Sequence, residues 1–460
     1  MRRRVFLGGA AAVCARMAMA ADEQTDSKRA MAAVLARIQA PAFPGRQFNI
    51  VQYGAVSDGR TDCSDAIRKA IDACSAAGGG SVIVPAGTYL TAAIHLKSHT
   101  NLHLEQGSVL RFATDPKRYP LVYSRWEGTE CMNYSPLIYA FEQTDIAITG
   151  SGTLDGQAST EIWWPWKGNA KSGWKAGMPE QKRDRDSLVA MGDKNIPVAQ
   201  RVFSEGHYLR PPFVQPYRCT NVLIEGVTIR NSPFWELNPV LCRNVTVRNV
   251  KIDSHGPNND GCDPESCDGV LIDGCEFSTG DDCIAIKSGR NEDGRRVHTA
   301  CQNLVVRNCS MKDGHGGVSI GSEVSGDVRN VFVDNCRMDS PHLDRALRIK
   351  SNTYRGGIVE NVYFTNNTVG QVAEAVVDID FNYEEGNGGP HNPVVRNVVV
   401  ENITSGKSKY ALYLRGFKNA PIAAVRLANC KFDNAAQANV IENVDGLQFD
   451  KVLRNGQAMK

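Results

Sequence analysis

The sequence predicts an all-β fold, a right-handed parallel β-helix of about ten stacked coils, from a recurring strand pattern, its irregular spacing and a second line of strands. A nine-residue pattern rich in Val and Ile begins at Asn221, and later copies follow at intervals of 23 to 36 residues. Its alternation of apolar and polar residues is typical of strands. Other copies begin at Asn101, Asp145, Asn244, Gly269, Asn303, Asn330, Asn361, Asn397 and Ala424. Because one short coil cannot bury its own apolar face, such repeats stack into a solenoid.

A second line of apolar strands runs between these repeats. Its members are Cys283–Lys287, Gly317–Gly321, Ala346–Lys350, Val376–Asp380 and Ala411–Arg415. Stacking places equivalent strands side by side in one sheet, and alternate side chains of each strand point outward. The outward residues of this line should therefore form one continuous surface, with the corner loops beside it.

Two segments depart from the repeat. Residues 62–74 have helical periodicity and are followed by three glycines at 78–80, which predicts a helix that caps the open end of the solenoid. The stretch from about residue 111 to 215 is poor in repeats and contains five of the six tryptophans. We interpret this stretch as long loops over one face of the helix.

The first twenty residues are typical of an export signal. Arg3 and Arg4 precede a short apolar run in a twin-arginine-like arrangement, and residues 18–20 fit a small-x-small cleavage site. We therefore expect residues 21–460 to form a single domain that is exported, either to the periplasm or to the medium. No later stretch is long and apolar enough to span a bilayer, so we expect no association with a membrane.

The charge balance limits the partners. Loss of residues 1–20 removes four arginines and leaves 48 basic against 50 acidic side chains, so the net charge changes from +2 to −2. Without a dense basic stripe we expect no nucleic-acid binding, and an acidic substrate must be held by a local basic cluster. Thirteen cysteines would remain, and we expect most to be small buried core residues, although export permits some disulfides.

Acidic residues recur along the predicted outward surface at an interval of about one coil. Asp260 is followed 21 residues later by the pair Asp281 and Asp282. Cleavage of a glycoside needs one protonated carboxyl group for the leaving oxygen and a second carboxylate to act on water or as a nucleophile. Crowded carboxylates repel one another, which raises the pKa of one of them and keeps it protonated.

The next two coils add a histidine and two cations. His315 stands between two glycines, and Arg348 and Lys350 alternate along the following strand, so that both point to the same face. Two cations suit a sugar that carries a carboxylate, which an arginine can bind through two hydrogen bonds. Each feature alone is common in turns and on solvated faces, but the ordered series over stacked coils points to one site.

In order and composition these motifs resemble the polygalacturonase family, glycoside hydrolase family 28, whose motifs are Asn-Thr-Asp, Gly-Asp-Asp, Gly-His-Gly and Arg-Ile-Lys. The last three are present unchanged, at residues 280–282, 314–316 and 348–350, and the first appears as Asn258-Asn259-Asp260. Residues 53–62 are also similar to the first coil of such enzymes. The resemblance covers nearly the whole mature chain and implies one pectin-lyase-like β-helix catalytic domain.

The resemblance further implies inverting hydrolysis of α-1,4-galacturonosidic bonds in a pectic polysaccharide or oligogalacturonide, without a cofactor or metal. Asp281 matches the general acid, and Asp260 and Asp282 match the pair that activates water. In an inverting site acid and base are roughly 6.5–9.5 Å apart. His315 matches the histidine that keeps the acid protonated. The matches to substrate-binding residues are Asn258, Arg348, Lys350 and Tyr383.

Exo action is favoured by the long Trp-rich stretch and by residues 287–296. The three arginines of this segment, Arg290, Arg295 and Arg296, either hold the carboxylate of a terminal sugar or form a solvated corner loop. A hydrolase of rhamnogalacturonan or of a substituted pectin is the nearest alternative. A calcium-dependent lyase and a non-catalytic carbohydrate-binding solenoid are alternatives that the four motifs argue against. We expect a monomer, although the sequence does not fix the oligomeric state.

Overall fold

The computed structural model describes residues 27–460, and in this part of the chain most coils pass through three parallel sheets, named here A, B and C. Parallel strands of one sheet are joined through the other two sheets, a connection that is right-handed in nearly all proteins. The fold is the right-handed parallel β-helix predicted from the sequence. The predicted signal peptide lies outside the described residues. Within residues 27–460, no helix has the length and apolar character needed to cross a membrane.

Sheets A and B are built from the nine-residue repeat, which forms two short strands separated by a turn. The strands of sheet A are Gln47–Asn49, Gly80–Val84, Thr100–Leu104, Thr144–Gly150, Thr220–Glu225, Arg243–Arg248, Asp268–Asp273, Cys301–Arg307, Val328–Asp334, Ile358–Thr365, Val394–Glu401, Ile422–Ala428, Val444–Asp445 and Gln448–Asp450. The strands of sheet B are Asp58–Asp62, Gly87–Thr91, Ser108–Phe112, Thr153–Asp155, Thr228–Arg230, Lys251–Ser254, Glu276–Thr279, Ser310–Met311, Arg337–Met338, Thr368–Gln371, Thr404–Lys407, Lys431–Phe432, Leu453–Arg454 and Gln457–Ala458. Each sheet has 14 strands, so the stack is longer than the ten coils counted from the repeats.

Sheet C is formed by the second strand line of the sequence and is interrupted in its middle. Its strands are Ile94–His95, Ile138–Phe141, Val214–Tyr217, Ile284–Ile286, Val318–Ile320, Arg345–Lys350, Ala375–Asp380, Tyr410–Arg415 and Val440–Glu442. Between residues 217 and 284 only isolated pairings continue the sheet, such as Leu237 with Cys262 and Cys262 with Ile284. The predicted acidic motifs lie beside this interruption.

The asparagine that opens each repeat has a structural role. Asn303, Asn330 and Asn361 adopt left-handed backbone angles, with φ of 56° to 58°, which asparagine tolerates better than most residues. Their side chains form a ladder, because Asn330 Nδ2 donates to Asn303 Oδ1 at 3.0 Å and Asn361 Nδ2 donates to Asn330 Oδ1 at 3.0 Å. Each coil is therefore held to the next at the same corner.

The inward side chains form one continuous apolar core along the helix axis. All thirteen cysteines among the described residues are free and buried, as expected for most of them from the sequence. Several stack coil upon coil, for example Cys219 with Cys242, whose Sγ accepts the Cys219 backbone N–H at 3.4 Å. They act as small core residues, and none of the described cysteines forms a disulfide.

Within residues 27–460, four α-helices lie outside the three sheets. Helix α1 covers residues 27–37 and packs Val34 against Phe332 on the outer face of sheet A. Helix α2, Ser64–Ala76, is the predicted cap, with its apolar face in the core at the N-terminal end of the stack. Helices α3 and α4 are Lys182–Asp193 and Asn291–Val297, and the sequence reading missed both. Short 3₁₀ helices are Ile50–Tyr53, Pro116–Arg118, Trp164–Lys167, Ala170–Ser172 and Val198–Gln200.

The stretch from 111 to 215 is more ordered than the loops expected there. Two of its strands pair as an antiparallel hairpin, Leu121–Trp126 with Thr129–Tyr134, which Val202–Phe203 extends into a small fourth sheet. A separate apolar cluster that includes Trp126 lies under helix α3. These elements form a small separate layer with its own apolar core. They do not repeat, so the repeat pattern of the sequence could not predict them.

The asparagine ladder gives a test of what each repeat contributes. Asn330→Gly keeps the left-handed backbone and loses two side-chain hydrogen bonds, whereas Asn330→Ala also acquires a strained backbone that costs roughly 1–2 kcal/mol. We expect the thermal unfolding midpoint to fall in both variants and to fall further for Ala than for Gly. Equal midpoints would show that the backbone angle at this corner carries no cost.

Candidate active site

The acidic motifs lie at the corner between sheets B and C on neighbouring coils. Asp281 and Asp282 follow the strand Glu276–Thr279, and Asp260 lies on the preceding coil. The backbone N–H of Gly261 donates to the Asp282 carbonyl at 3.0 Å and so fixes the two coils against each other. Gly280 permits this approach, because a Cβ there would lie 2.2 Å from the Gly256 carbonyl oxygen.

The structure brings His315 to Asp281 from the next coil. The His315 backbone N–H donates to the Asp281 carbonyl at 3.1 Å, and its Nδ1 lies 3.0 Å from Asp281 Oδ1. Gly316 leaves space for the carboxylate of Asp282, since a Cβ at this position would lie 2.8 Å from Asp282 Oδ1. The glycines of these two motifs therefore serve close packing between coils.

Arg348 and Lys350 project from the same face of the sheet C strand Arg345–Lys350, as predicted, and both reach Asp282. Lys350 Nζ donates to Asp282 Oδ2 at 2.7 Å, and an Arg348 guanidinium nitrogen donates to Oδ1 at 3.4 Å. Tyr383 lies against both cations, with its ring centre 5.5 Å from Arg348 Cζ and 5.2 Å from Lys350 Nζ. Asp282 is fully buried, so the two cations separate it from the solvent.

Asn258 connects the acidic corner to the insertion that precedes it. Its backbone is left-handed, with φ of 55°, and its Nδ2 donates to Asp281 Oδ2 at 3.4 Å. Its Oδ1 accepts hydrogen bonds from Lys167 Nζ at 2.9 Å and from Arg210 at 2.8 Å. The sequence reading missed these two cations, because both lie in the non-repetitive stretch.

The three carboxylates lie close together. One oxygen each of Asp260, Asp281 and Asp282 lies within 4.8 Å of one oxygen of the other two. Asp281 and Asp282 are adjacent in the chain, and Asp260 approaches them because neighbouring strands of a sheet are only about 4.8 Å apart. These distances join the nearest oxygens and do not measure the separation between whole carboxyl groups, so the roughly 6.5–9.5 Å expected between acid and base stays a prediction.

The environment pushes the pKa values of the buried acids in opposite directions. Burial and the neighbouring Asp263 and Asp281 raise the pKa of Asp260 well above its ordinary value. Burial alone would also raise the pKa of Asp282, but Lys350 and Arg348 hold it below its ordinary value, so Asp282 stays ionised. The cluster is thus built to keep one proton among several carboxyl groups.

His315 and Asp281 form a proton-sharing pair at the solvent side of the cluster. The hydrogen bond that His315 donates to Asp281 raises the pKa of His315. Burial would raise the pKa of Asp281, but the hydrogen bond from His315 lowers it. In the unliganded protein the proton of this pair therefore resides on the imidazole, 3.0 Å from the carboxylate.

A buried lysine beneath the cluster completes its charge balance. Lys287 Nζ lies 3.9 Å from Asp260, 3.6 Å from Asp263 and 3.5 Å from Glu323, and 4.7 Å from the centre of the Trp235 ring. The outward position of Lys287 could have been predicted from the alternation in Cys283–Lys287. The two isoleucines of this strand point inward, so the lysine that follows them points outward. Sequence reasoning missed it because a lysine at a strand end is usually solvated.

The spacing of the three carboxylates would also suit a cation. However, Lys350 and Arg348 already pair with both oxygens of Asp282, and Lys287 lies beside Asp260. Ammonium and guanidinium groups thus supply the positive charge that a metal would bring to this donor set.

The arginines of residues 287–296 pair with carboxylates of the protein. Arg290 is buried and contacts four glutamates, at 3.2 Å for Glu127, 3.5 Å for Glu323 and Glu384, and 3.7 Å for Glu385. Arg295 pairs with a neighbouring glutamate in helix α4, and Arg296 pairs with Asp293. Binding of a terminal sugar carboxylate by these arginines stays a prediction.

Seven of the eight predicted site residues line one cavity of about 450 Å³: Asn258, Asp260, Asp281, His315, Arg348, Lys350 and Tyr383. Asp282 lies beneath them. One wall is closed by helix α3, whose Arg185 reaches Glu384 at 3.5 Å and Glu127 at 2.6 Å. The insertion is therefore joined to the loop that carries Tyr383, and the cavity is enclosed on that side.

Clustered carboxylates beside a histidine, with cations that face a cavity on a parallel β-helix, define a glycoside hydrolase for acidic sugars. The sequence profile of Glycosyl hydrolases family 28 matches residues 201–452, which carry all four motifs. The chain belongs to this family. A second profile, Rhamnogalacturonase A/epimerase, pectate lyase-like, matches residues 47–107 at the N-terminal coils.

Individual relatives agree with this assignment. The structure superposes on a hyperthermoactive exopolygalacturonase from Thermotoga maritima with a TM-score of 0.92 and 45% identity, over 94% of this chain and 97% of that one. An exo-poly-alpha-D-galacturonosidase from Dickeya chrysanthemi is 29% identical, over 89% of this chain and 72% of its own. A probable polygalacturonase from Vitis vinifera is 27% identical, over 85% of this chain and 75% of its own.

The buried lysine allows a test that does not depend on activity. Lys287→Met leaves buried carboxylates without their cation, and breaking a buried ion pair from one side costs about 3–5 kcal/mol. We expect a large fall in the thermal unfolding midpoint. The matched variant Arg348→Met should cost much less, because Lys350 still pairs with Asp282. Similar losses in both variants would contradict the central role of Lys287.

Proposed function

We propose that the protein hydrolyses the α-1,4 bonds of polygalacturonate and releases sugars from one chain end. The observation that carries this proposal is the cavity in which Asp281, paired with His315, faces Arg348 and Lys350. An anionic sugar placed between them brings its own carboxylate to the cations and its glycosidic oxygen to the acid.

In the proposed reaction Asp281 gives a proton to the glycosidic oxygen while the bond from that oxygen to the anomeric carbon breaks. A water molecule forms the new bond to the same carbon, and its proton passes to the pair Asp260 and Asp282. We propose a single displacement with inversion, as the family resemblance implies.

The state of protonation requires His315 to take part in acid catalysis. Asp281 is ionised in the unliganded protein, because the hydrogen bond from His315 lowers its pKa. The proton that reaches the leaving oxygen is therefore stored on the imidazole and passes through Asp281, which lies 3.0 Å away. Asp260 lines the cavity and Asp282 stays ionised beneath it, and we assign the proton of the attacking water to this pair.

Exo action is supported by the enclosure of the cavity and by the relatives. Helix α3 and the Tyr383 loop meet through Arg185 and Glu384, which both line the cavity and narrow it on that side. The relatives from Thermotoga maritima and Dickeya chrysanthemi carry exo-acting names. We also propose that the protein is exported and acts as a monomer on pectic substrates outside the cytoplasm.

Incubation of the mature protein with polygalacturonate should release monogalacturonate from the start, with little loss of viscosity. Reducing ends and product sizes are followed together, and the anomeric form of the first product is read by proton NMR, where inversion gives the β-anomer. Asp281→Asn should lose about 10²- to 10⁴-fold in rate. The matched control Asp253→Asn removes an exposed carboxylate outside the cavity and should retain activity.

Other outcomes separate the alternatives. A ladder of oligomers would contradict exo action, and an initial α-anomer would contradict inversion. No release from polygalacturonate would direct the search to rhamnogalacturonan or a substituted pectin. An unsaturated product whose formation stops when a chelator is added would indicate a lyase. Binding of the polysaccharide without any new reducing ends would indicate a carbohydrate-binding protein.

The pH dependence of kcat/KM tests whether His315 holds the proton that Asp281 delivers. Asp281 raises the pKa of His315 above its ordinary value of about 6.5, so the proton is kept at low pH and lost as the pH rises through the raised value. In His315→Gln the acid depends on a carboxyl group alone. We expect the alkaline limb of kcat/KM to move to lower pH, while His255→Gln, which removes an imidazole paired with Asp253, leaves the profile unchanged. An unmoved limb in His315→Gln would contradict the role of His315.

A further inference from the structure

Two cations beside the acid form no ion pair within 4.0 Å in the part of the chain that the structure describes. Lys167 and Arg210 both donate to Asn258 Oδ1, a neutral oxygen, at 2.9 Å and 2.8 Å. Among residues 27–460, no carboxylate oxygen lies within 4.0 Å of the Lys167 ammonium, whereas Lys287, Arg348 and Lys350 all have such a partner.

Arg210 is buried and held in place on all sides. Its guanidinium donates to Gln181 Oε1 at 2.9 Å and to the carbonyls of Pro233 at 2.8 Å and Pro257 at 2.7 Å, and lies over the Phe234 ring. These hydrogen-bond partners are all neutral, and the carboxylates of Glu127, Asp260 and Asp281 act on the guanidinium only from beyond ion-pair distance. A buried charge without a close ionic partner is costly unless an anion arrives to pair with it.

Lys167 is the member of this pair that faces the cavity. It ends the short 3₁₀ helix Trp164–Lys167, and this helix is anchored by aromatic contacts, since the Trp166 ring lies 5.0 Å from Trp163 and 5.1 Å from Tyr208. The ammonium is therefore placed by a rigid support. A flexible surface lysine would have been solvated.

We infer that Lys167 binds the carboxylate of the galacturonate unit next to the one held by Arg348 and Lys350. The site then binds a carboxylate on each of the two sugars that the cleaved bond joins. The two cationic groups belong to different members of the acidic cluster. Lys167 reaches Asp281 through Asn258, whereas Arg348 and Lys350 contact Asp282. This inference rests on the proposed function and extends it to the second sugar.

Binding of digalacturonate to the inactive Asp281→Asn protein tests the inference by calorimetry. The ligand is compared with its dimethyl ester, which has the same sugars without charge. Addition of Lys167→Met should weaken digalacturonate binding about 10- to 100-fold, the effect of one charge-assisted hydrogen bond, and leave the ester unchanged. Lys167→Arg should keep most of the preference for the charged ligand, which guards against an effect of misfolding.

Lys182→Met is the matched control. Lys182 also lines the cavity but pairs with Asp186 on helix α3, so its loss should change binding of either ligand less than about 2-fold. Equal weakening of both ligands in Lys167→Met, or no weakening of either, would overturn the inference while the activity on polygalacturonate stands. If wild-type protein neither cleaves polygalacturonate nor binds digalacturonate, the proposed function fails and the inference fails with it.

Discussion

The spacing between neighbouring coils is the constraint on which the rest of this structure depends. Strands of one sheet stack about 4.8 Å apart, and a side chain at a given corner must lie at about that distance from its counterpart on the next coil. Asp260, Asp281 and Asp282 come together for this reason, with oxygens within 4.8 Å of one another. Carboxylates so close cannot all be ionised without cations, and the chain places Lys287, Arg348 and Lys350 around them.

The charged cluster serves the reaction and adds little to the stability of the fold. Buried ion pairs contribute little net stability, because desolvation opposes the attraction between the charges. The apolar core and the asparagine ladders hold the coils together along the whole axis, whereas sheet C is reduced to isolated pairings beside the acidic corner. The polar cluster therefore sits where the backbone ladder is weakest, on a scaffold that is strong elsewhere.

Much of this could be predicted from the sequence. The repeats fixed the strand lines, and the ordered motifs placed Asp260, Asp281, His315 and Lys350 on one surface, because period-two alternation and stacking determine which residues face outward. Lys167 and Arg210 could not be found in this way. They lie in the insertion, where no repeat relates sequence position to spatial position.

The arginines of residues 287–296 show another limit of local sequence patterns. Arg290 looked available to a substrate because the glutamates that surround it, among them Glu127 and Glu384, are 163 and 94 residues away in the chain. Long-range charge pairing is not visible in local patterns.

The unpaired state of the thirteen buried cysteines bears on how such a protein matures. Without covalent cross-links among the described residues, every contact that holds the coils together can form in a reducing compartment as well as in an oxidising one. The coils of residues 27–460 therefore need no disulfide chemistry to join one another, and their stacking is uncoupled from the redox state of the surroundings.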